Sequence, residues 1–244
     1  MRDILTEATS RTDRTASNVV LKRASSDRKA SRARPVVVAV ADHSGWAILV
    51  SAAAVNGGPT VVDRRRVPLI EKGMPSQPYE HGTQALIDAE AEQLLLQVKK
   101  SIAGCTALAL DRLSADLWPD YRISSLTIRE PSLAQLPATV REVHASYHVL
   151  CRADGMLYHS AICAAARQRD LEVVFHHRGE EVAKAADTLK VSTREVERFL
   201  NGLKHTLKPP WTAEHRNAFA AAIGTLREPS GLRVPVERGH ESDR

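Results

Sequence analysis

The chain has 244 residues, 43% hydrophobic and 26% charged, with a net charge of +5 and a pI near 9.3. That composition fits a soluble globular domain with one sizeable core. Aromatic residues at 4% argue against a base-stacking surface for single-stranded nucleic acid, and the longest apolar runs are too short to span a bilayer. The three cysteines, Cys105, Cys151 and Cys163, lack CxxC spacing and read as reduced thiols of a cytoplasmic protein. The charged, Ser/Thr-rich N-terminus has no apolar signal core. Residues 1–34 carry nine Lys/Arg against four acids, a surplus of five that equals the whole net charge. They read as a disordered basic tail able to add affinity for a polyanion.

From Pro35 the pattern becomes β. Val36–Ala41 is an apolar run suited to a strand buried on both faces, and Asp42-His43-Ser44-Gly45 leads into a second run from Trp46 to Ala54. Asn56-Gly57-Gly58-Pro59 is a turn signal, and Val61–Ile70 a third strand whose Arg64, Arg65 and Arg66 read as a charged sheet edge. Together these predict an antiparallel meander.

Thr83–Ala103 has helical spacing, with Gly104 as its stop. Cys105–Leu110 then reads as a buried strand that delivers a second carboxylate, Asp111. Residues 112–137 are irregular, broken at Trp118-Pro119 and Glu130-Pro131, with a short strand at Leu126–Ile128. Thr139–Arg169 reads as a long helix or a broken pair, and Leu171–His176 as a strand. Helices over Glu180–Leu189, Thr193–His205 and Thr212–Leu226 follow, and residues 227–244 read as a flexible tail. The expected architecture is an α/β sandwich around a mixed five-stranded sheet, antiparallel first and parallel afterwards, over residues 35–226.

Strand-end acids, together with Glu214 and Asn217 one helical turn apart in Pro210-Trp211-Thr212-Ala213-Glu214-His215-Arg216-Asn217-Ala218, resemble the RNase H-like superfamily. Within it the chain resembles RuvC-type Holliday-junction resolvases, over about Val36 to Leu226. The resemblance implies a metal-dependent nuclease acting on phosphodiester bonds in structured nucleic acid, with DNA as partner, Mg²⁺ or Mn²⁺ as cofactor, and room for a homodimer. It assigns catalysis to Asp42, Asp111, Glu214 and Asn217, and metal ligation to Asp42, Asp111, Glu214 and His215. Three positions depart from the pattern. His43 replaces the usual Pro-Gly after the first acid, Asp111 is shorter than the common Glu, and Asn217 adds no charge to a metal site.

Other readings compete. Ala186–Leu200 resembles a helix-turn-helix with Lys190 in the turn, which would expose Arg194 and Arg198 to nucleic acid; the same residues fit a helix capped by Ser192 and Glu195. A catalytically inactive RNase H-like or helix-turn-helix-containing nucleic-acid-binding protein is therefore the alternative function. His176 and His177 are adjacent on a strand and so face opposite ways, and Cys163 with His159 fits a packing face. No P-loop or dinucleotide glycine pattern occurs, which disfavours an actin-like ATP site.

Overall fold

A computed structural model describes residues 33–132 and 134–227. Both predicted tails, apart from residues 33, 34 and 227, lie outside the described residues. Three strands open the domain: β1 (Arg34–His43), β2 (Trp46–Val55) and β3 (Gly58–Pro68). A π-helical turn at Pro78–Gly82 precedes α1 (Asp88–Leu117). Then come β4 (Tyr121–Arg129), α2 (Val140–His144), α3 (Tyr147–Arg167) and β5 (Glu172–His176). Helices α4 (Glu181–Leu189), α5 (Thr193–Thr206) and α6 (Ala213–Thr225) complete it.

The five strands lie in the order β3-β2-β1-β4-β5. The meander β1-β2-β3 is antiparallel, while β4 and β5 join β1 in parallel. This is the mixed, helix-flanked five-stranded sheet expected from the sequence, antiparallel first and parallel afterwards. β1 is apolar from Val36 to Ala41 because both faces are covered there. Val38 and Val40 pack with α1 and α3; Val37 and Ala39 pack with α4, α5 and α6. Each of these valines removed from water contributes about 1.5–3 kcal/mol. Ala218 and Ala220–Ala222 let α6 lie close against β1 and β2.

The strand predicted at Cys105–Leu110 is instead part of α1, which runs 30 residues straight through Gly104. An added Cβ at Gly104 would meet nothing within 4 Å, so the glycine sits in open space and does not stop the helix. Its cost, about 1 kcal/mol, is small beside the buried stripe of Leu95, Val98, Ile102, Leu110, Leu113 and Leu117 that continues on both sides. The strand next to β1 is β4, of which only Leu126–Ile128 was legible. A register shift at Val36/Val37, where the Ser124 hydroxyl donates to the Val36 carbonyl at 3.0 Å, sets Val40 opposite Ile128.

The capped-helix reading of Ser192 holds. Ser192 and Glu195 form a reciprocal capping box, and Lys190 ends α4 in the left-handed region at φ 55°. The three arginines of β3 are engaged and not simply solvated. Arg65 bridges Asp63 and Asp116, each at 2.7 Å, Arg66 covers the Trp46 ring at 4.1 Å, and Arg64 donates to the carbonyls of Lys208 and Pro210. Among the described residues no helix is long and apolar enough to cross a membrane.

Candidate functional site

Parallel strands bring their C-terminal ends to one edge, and there the chain gathers its polar side chains. Val40 pairs with Ile128, so two residues further on Asp42 of β1 lies level with Glu130, directly after β4. Side chains alternate along a strand. Asp42 therefore follows Val40 toward the α1/α3 face, and His43 follows Ala41 toward α6. The N-terminus of α6 meets this edge from the other layer and carries Glu214 and Asn217.

Two clefts meet over the end of β1. One, of about 340 Å³, is lined by Asp42, His43, Arg129, His176, Glu214 and Asn217, among others. The second, of about 230 Å³, shares Asp42, His43 and Arg129 and adds Glu130, Arg152 and His159 on the α3 side.

Histidines partner two of the carboxylates of this edge. His43 Nε2 lies 3.0 Å from Glu214 Oε1, and His177 Nδ1 lies 2.6 Å from Glu130 Oε2. His43 is fixed by stacking: its ring lies 3.9 Å from that of Trp46 at 9°, with Arg66 beyond. His176, buried, has Nδ1 at 3.2 Å from the Thr127 hydroxyl and Nε2 at 3.8 Å from Glu181. Burial holds the His176 imidazole below its ordinary pKa, against a smaller upward pull from Glu181. As expected for neighbours on a strand, His176 and His177 serve different partners. His176 also lines the larger cleft.

Of the residues predicted for the site, Asp42, Glu214 and Asn217 come together. Asp111 does not. It lies in α1, exposed, and accepts from Arg169 Nε at 2.8 Å. Arg169 sits in the turn that leads into β5, so Asp111 belongs to the N-terminal ends of the parallel strands, opposite Asp42. The acid level with Asp42 is Glu130. The signal was present in Leu126-Thr127-Ile128-Arg129-Glu130, an apolar run ending in an acid, but Glu130-Pro131 reads equally well as a breaker.

His215 is also displaced from the expected role. One residue along α6 from Glu214 it turns inward, buried, and its Nδ1 accepts from the Thr212 N–H at 3.3 Å. Burial and nearby Arg64 lower its pKa, and it caps the helix. Arg194 and Arg198 are exposed on α5, while Val196 and Leu200 pack inward.

Among the described residues, no three His, Cys, Asp or Glu side chains converge closely enough to hold a metal ion. The oxygen donors Asp42, Glu130, Glu214 and Asn217 nevertheless suit a hard divalent cation chemically. Glu130 and Glu214 would have to exchange their histidine partners for it.

No protein-family model matches the chain, and no curated protein matches it. Among solved structures it is similar to Thermus thermophilus RuvC, with TM-score 0.44 and 11% identity over 78% of this chain and 92% of that one. It is similar also to T. thermophilus RuvC in complex with Holliday junction substrate, with TM-score 0.44 and 12% identity over 78% and 90%.

Proposed function

We propose that this chain is an RNase H-like nuclease that hydrolyses phosphodiester bonds in structured nucleic acid, DNA in the first instance. One observation carries the reading: Asp42 and Glu130 lie level at the ends of two parallel strands, with Glu214 and Asn217 facing the same edge from α6. Carboxylates on strand ends and on a packed helix are held on a rigid frame, as phosphodiester chemistry requires. A helix N-terminus adds donors that favour a phosphate.

Asp42, Glu130, Glu214 and Asn217 are the residues that would hold Mg²⁺ or Mn²⁺. The ion supplies water activation and charge stabilisation at the leaving oxygen. Asn217 contributes an oxygen without charge, so affinity depends on the three carboxylates. His43, stacked on Trp46, holds the Glu214 carboxylate at this edge, and His177 holds that of Glu130, until the ion takes the place of the histidines. Arg194 and Arg198 supply exposed positive charge on α5 for the nucleic acid flanking the site.

The test is cleavage of branched, duplex and single-stranded DNA and of RNA–DNA hybrid in magnesium or manganese, beside Asp42→Asn, Glu130→Gln and Asp111→Asn. Cleavage lost in the first two variants and kept in the third supports the assignment. Loss only in Asp111→Asn overturns it, as does an absence of cleavage combined with no metal-induced change in melting temperature.

A further inference from the structure

Glu130, Glu181 and Glu214 at the site edge lie against histidines and not against arginines. Among the described residues, neither Arg129, the last residue of β4, nor Arg178, two residues past β5, has a carboxylate partner, and both are exposed beside the larger cleft. Arg152 of α3 lines the smaller cleft. One terminal nitrogen donates to the Gln135 carbonyl at 3.2 Å, while its Nε hydrogen has no acceptor in the protein. Arg129 belongs to both clefts, so the three guanidiniums succeed one another across the sheet end, from the α4/α6 layer to the α3 layer.

The geometry points to a phosphate track. Arg178, Arg129 and Arg152 bind consecutive backbone phosphates of a nucleic-acid strand, which is thereby led over Asp42 between the two clefts. The inference rests on the nucleic-acid reading above and extends it by naming the path and the contacts. Three features support it. Arg129 pairs with His176 across β4 and β5 and Arg178 follows two residues later, so both guanidiniums line the larger cleft, where one phosphate or two successive ones would lie. Guanidinium forks match phosphate oxygens in pairs. And, among the described residues, none of the three guanidiniums is paired with a carboxylate, which leaves each free to take a phosphate oxygen.

The experiment is equilibrium binding of a fluorescently labelled DNA duplex to the full chain, by anisotropy in EDTA, across about 50–200 mM salt. Each of Arg129→Gln, Arg152→Gln and Arg178→Gln is expected to reduce the slope of log K against log[salt] by about 0.9. The triple variant is expected to lose about 2–3 in slope. Arg122→Gln, at the opposite end of β4, is expected to leave the slope unchanged. Melting temperature confirms that each variant folds; should Arg152→Gln unfold, the Arg129→Gln/Arg178→Gln double variant replaces the triple. Unchanged slopes in the folded variants overturn the track. Binding without metal separates this outcome from the nuclease reading. A chain that binds with arginine-dependent slopes but never cuts keeps the track and loses the nuclease; one that cuts normally with unchanged slopes does the reverse.

Discussion

Replacing Asp154 by asparagine isolates a single buried carboxylate and gives the structure a quantitative test. Asp154 on α3 has no exposed surface, and its oxygens accept from the N–H groups of Tyr79 at 2.9 Å and Glu80 at 3.2 Å, fastening the π-helical turn to the domain. Burial pushes its pKa up to about 6; the two N–H donors pull the other way, more weakly, and Glu80 and His81 contribute smaller opposing effects. An unfolded aspartate titrates near 3.9. The folded value is therefore the higher of the two, so between about pH 4 and 6 the folded state holds a proton that the unfolded state has lost. Stability from this group is greatest below that window and falls as pH rises through it. At about 1.4 kcal/mol per pH unit the span is worth about 3 kcal/mol, and screening by solvent reduces it to about 2. Asparagine does not titrate, and the other groups cancel in the difference. Urea unfolding of both proteins from pH 4 to 8 should show wild-type stability relative to Asp154→Asn rising by about 2 kcal/mol on acidification. That equals roughly 4–8 °C in melting temperature for a domain of this size. A difference flat with pH, or one growing toward alkaline pH, would refute the argument.

Gly224→Ala should destabilise by about 1–3 kcal/mol despite the better helix propensity, because the new Cβ would lie 2.9 Å from Lys184 Cβ and 3.3 Å from its carbonyl carbon on α4; chemical denaturation measures it, and a gain in stability would contradict the close approach of α4 and α6. Trp46→Ala should cost about 1–3 kcal/mol by removing the stack on His43 and the seat of Arg66, with Trp46→Phe recovering part of it; equal stabilities of the two variants would deny the stack any role. Ser192→Ala should cost about 1 kcal/mol through loss of the capping box, read as faster hydrogen exchange in the first turn of α5. Asn217→Asp should tighten Mn²⁺ binding, followed by calorimetry, since it restores a charge to the donor set; unchanged or weaker affinity would remove Asn217 from that set.

The sequence by itself determined whatever depends on neighbours along the chain. The β1–β2 hairpin, the arginine-bearing third strand, the α6 segment with Glu214 and Asn217 one turn apart and the Ser192 capping box were all legible, because turn chemistry, capping and face periodicity act within a few residues. Tertiary structure decided the rest. A short apolar run such as Cys105–Leu110 satisfies a buried strand and a buried helix alike; packing along the whole of α1 resolved it as helix and carried Asp111 to the wrong end of the sheet. Which acid stands beside Asp42 depends on which strand pairs with β1, and that pairing joins residues about 90 positions apart through one register shift. The pairing of His43 with Glu214 is likewise a contact between a hairpin and the last helix. Long-range pairings of this kind leave no periodic trace in the sequence, because their free energy is realised only when the two layers close on the sheet.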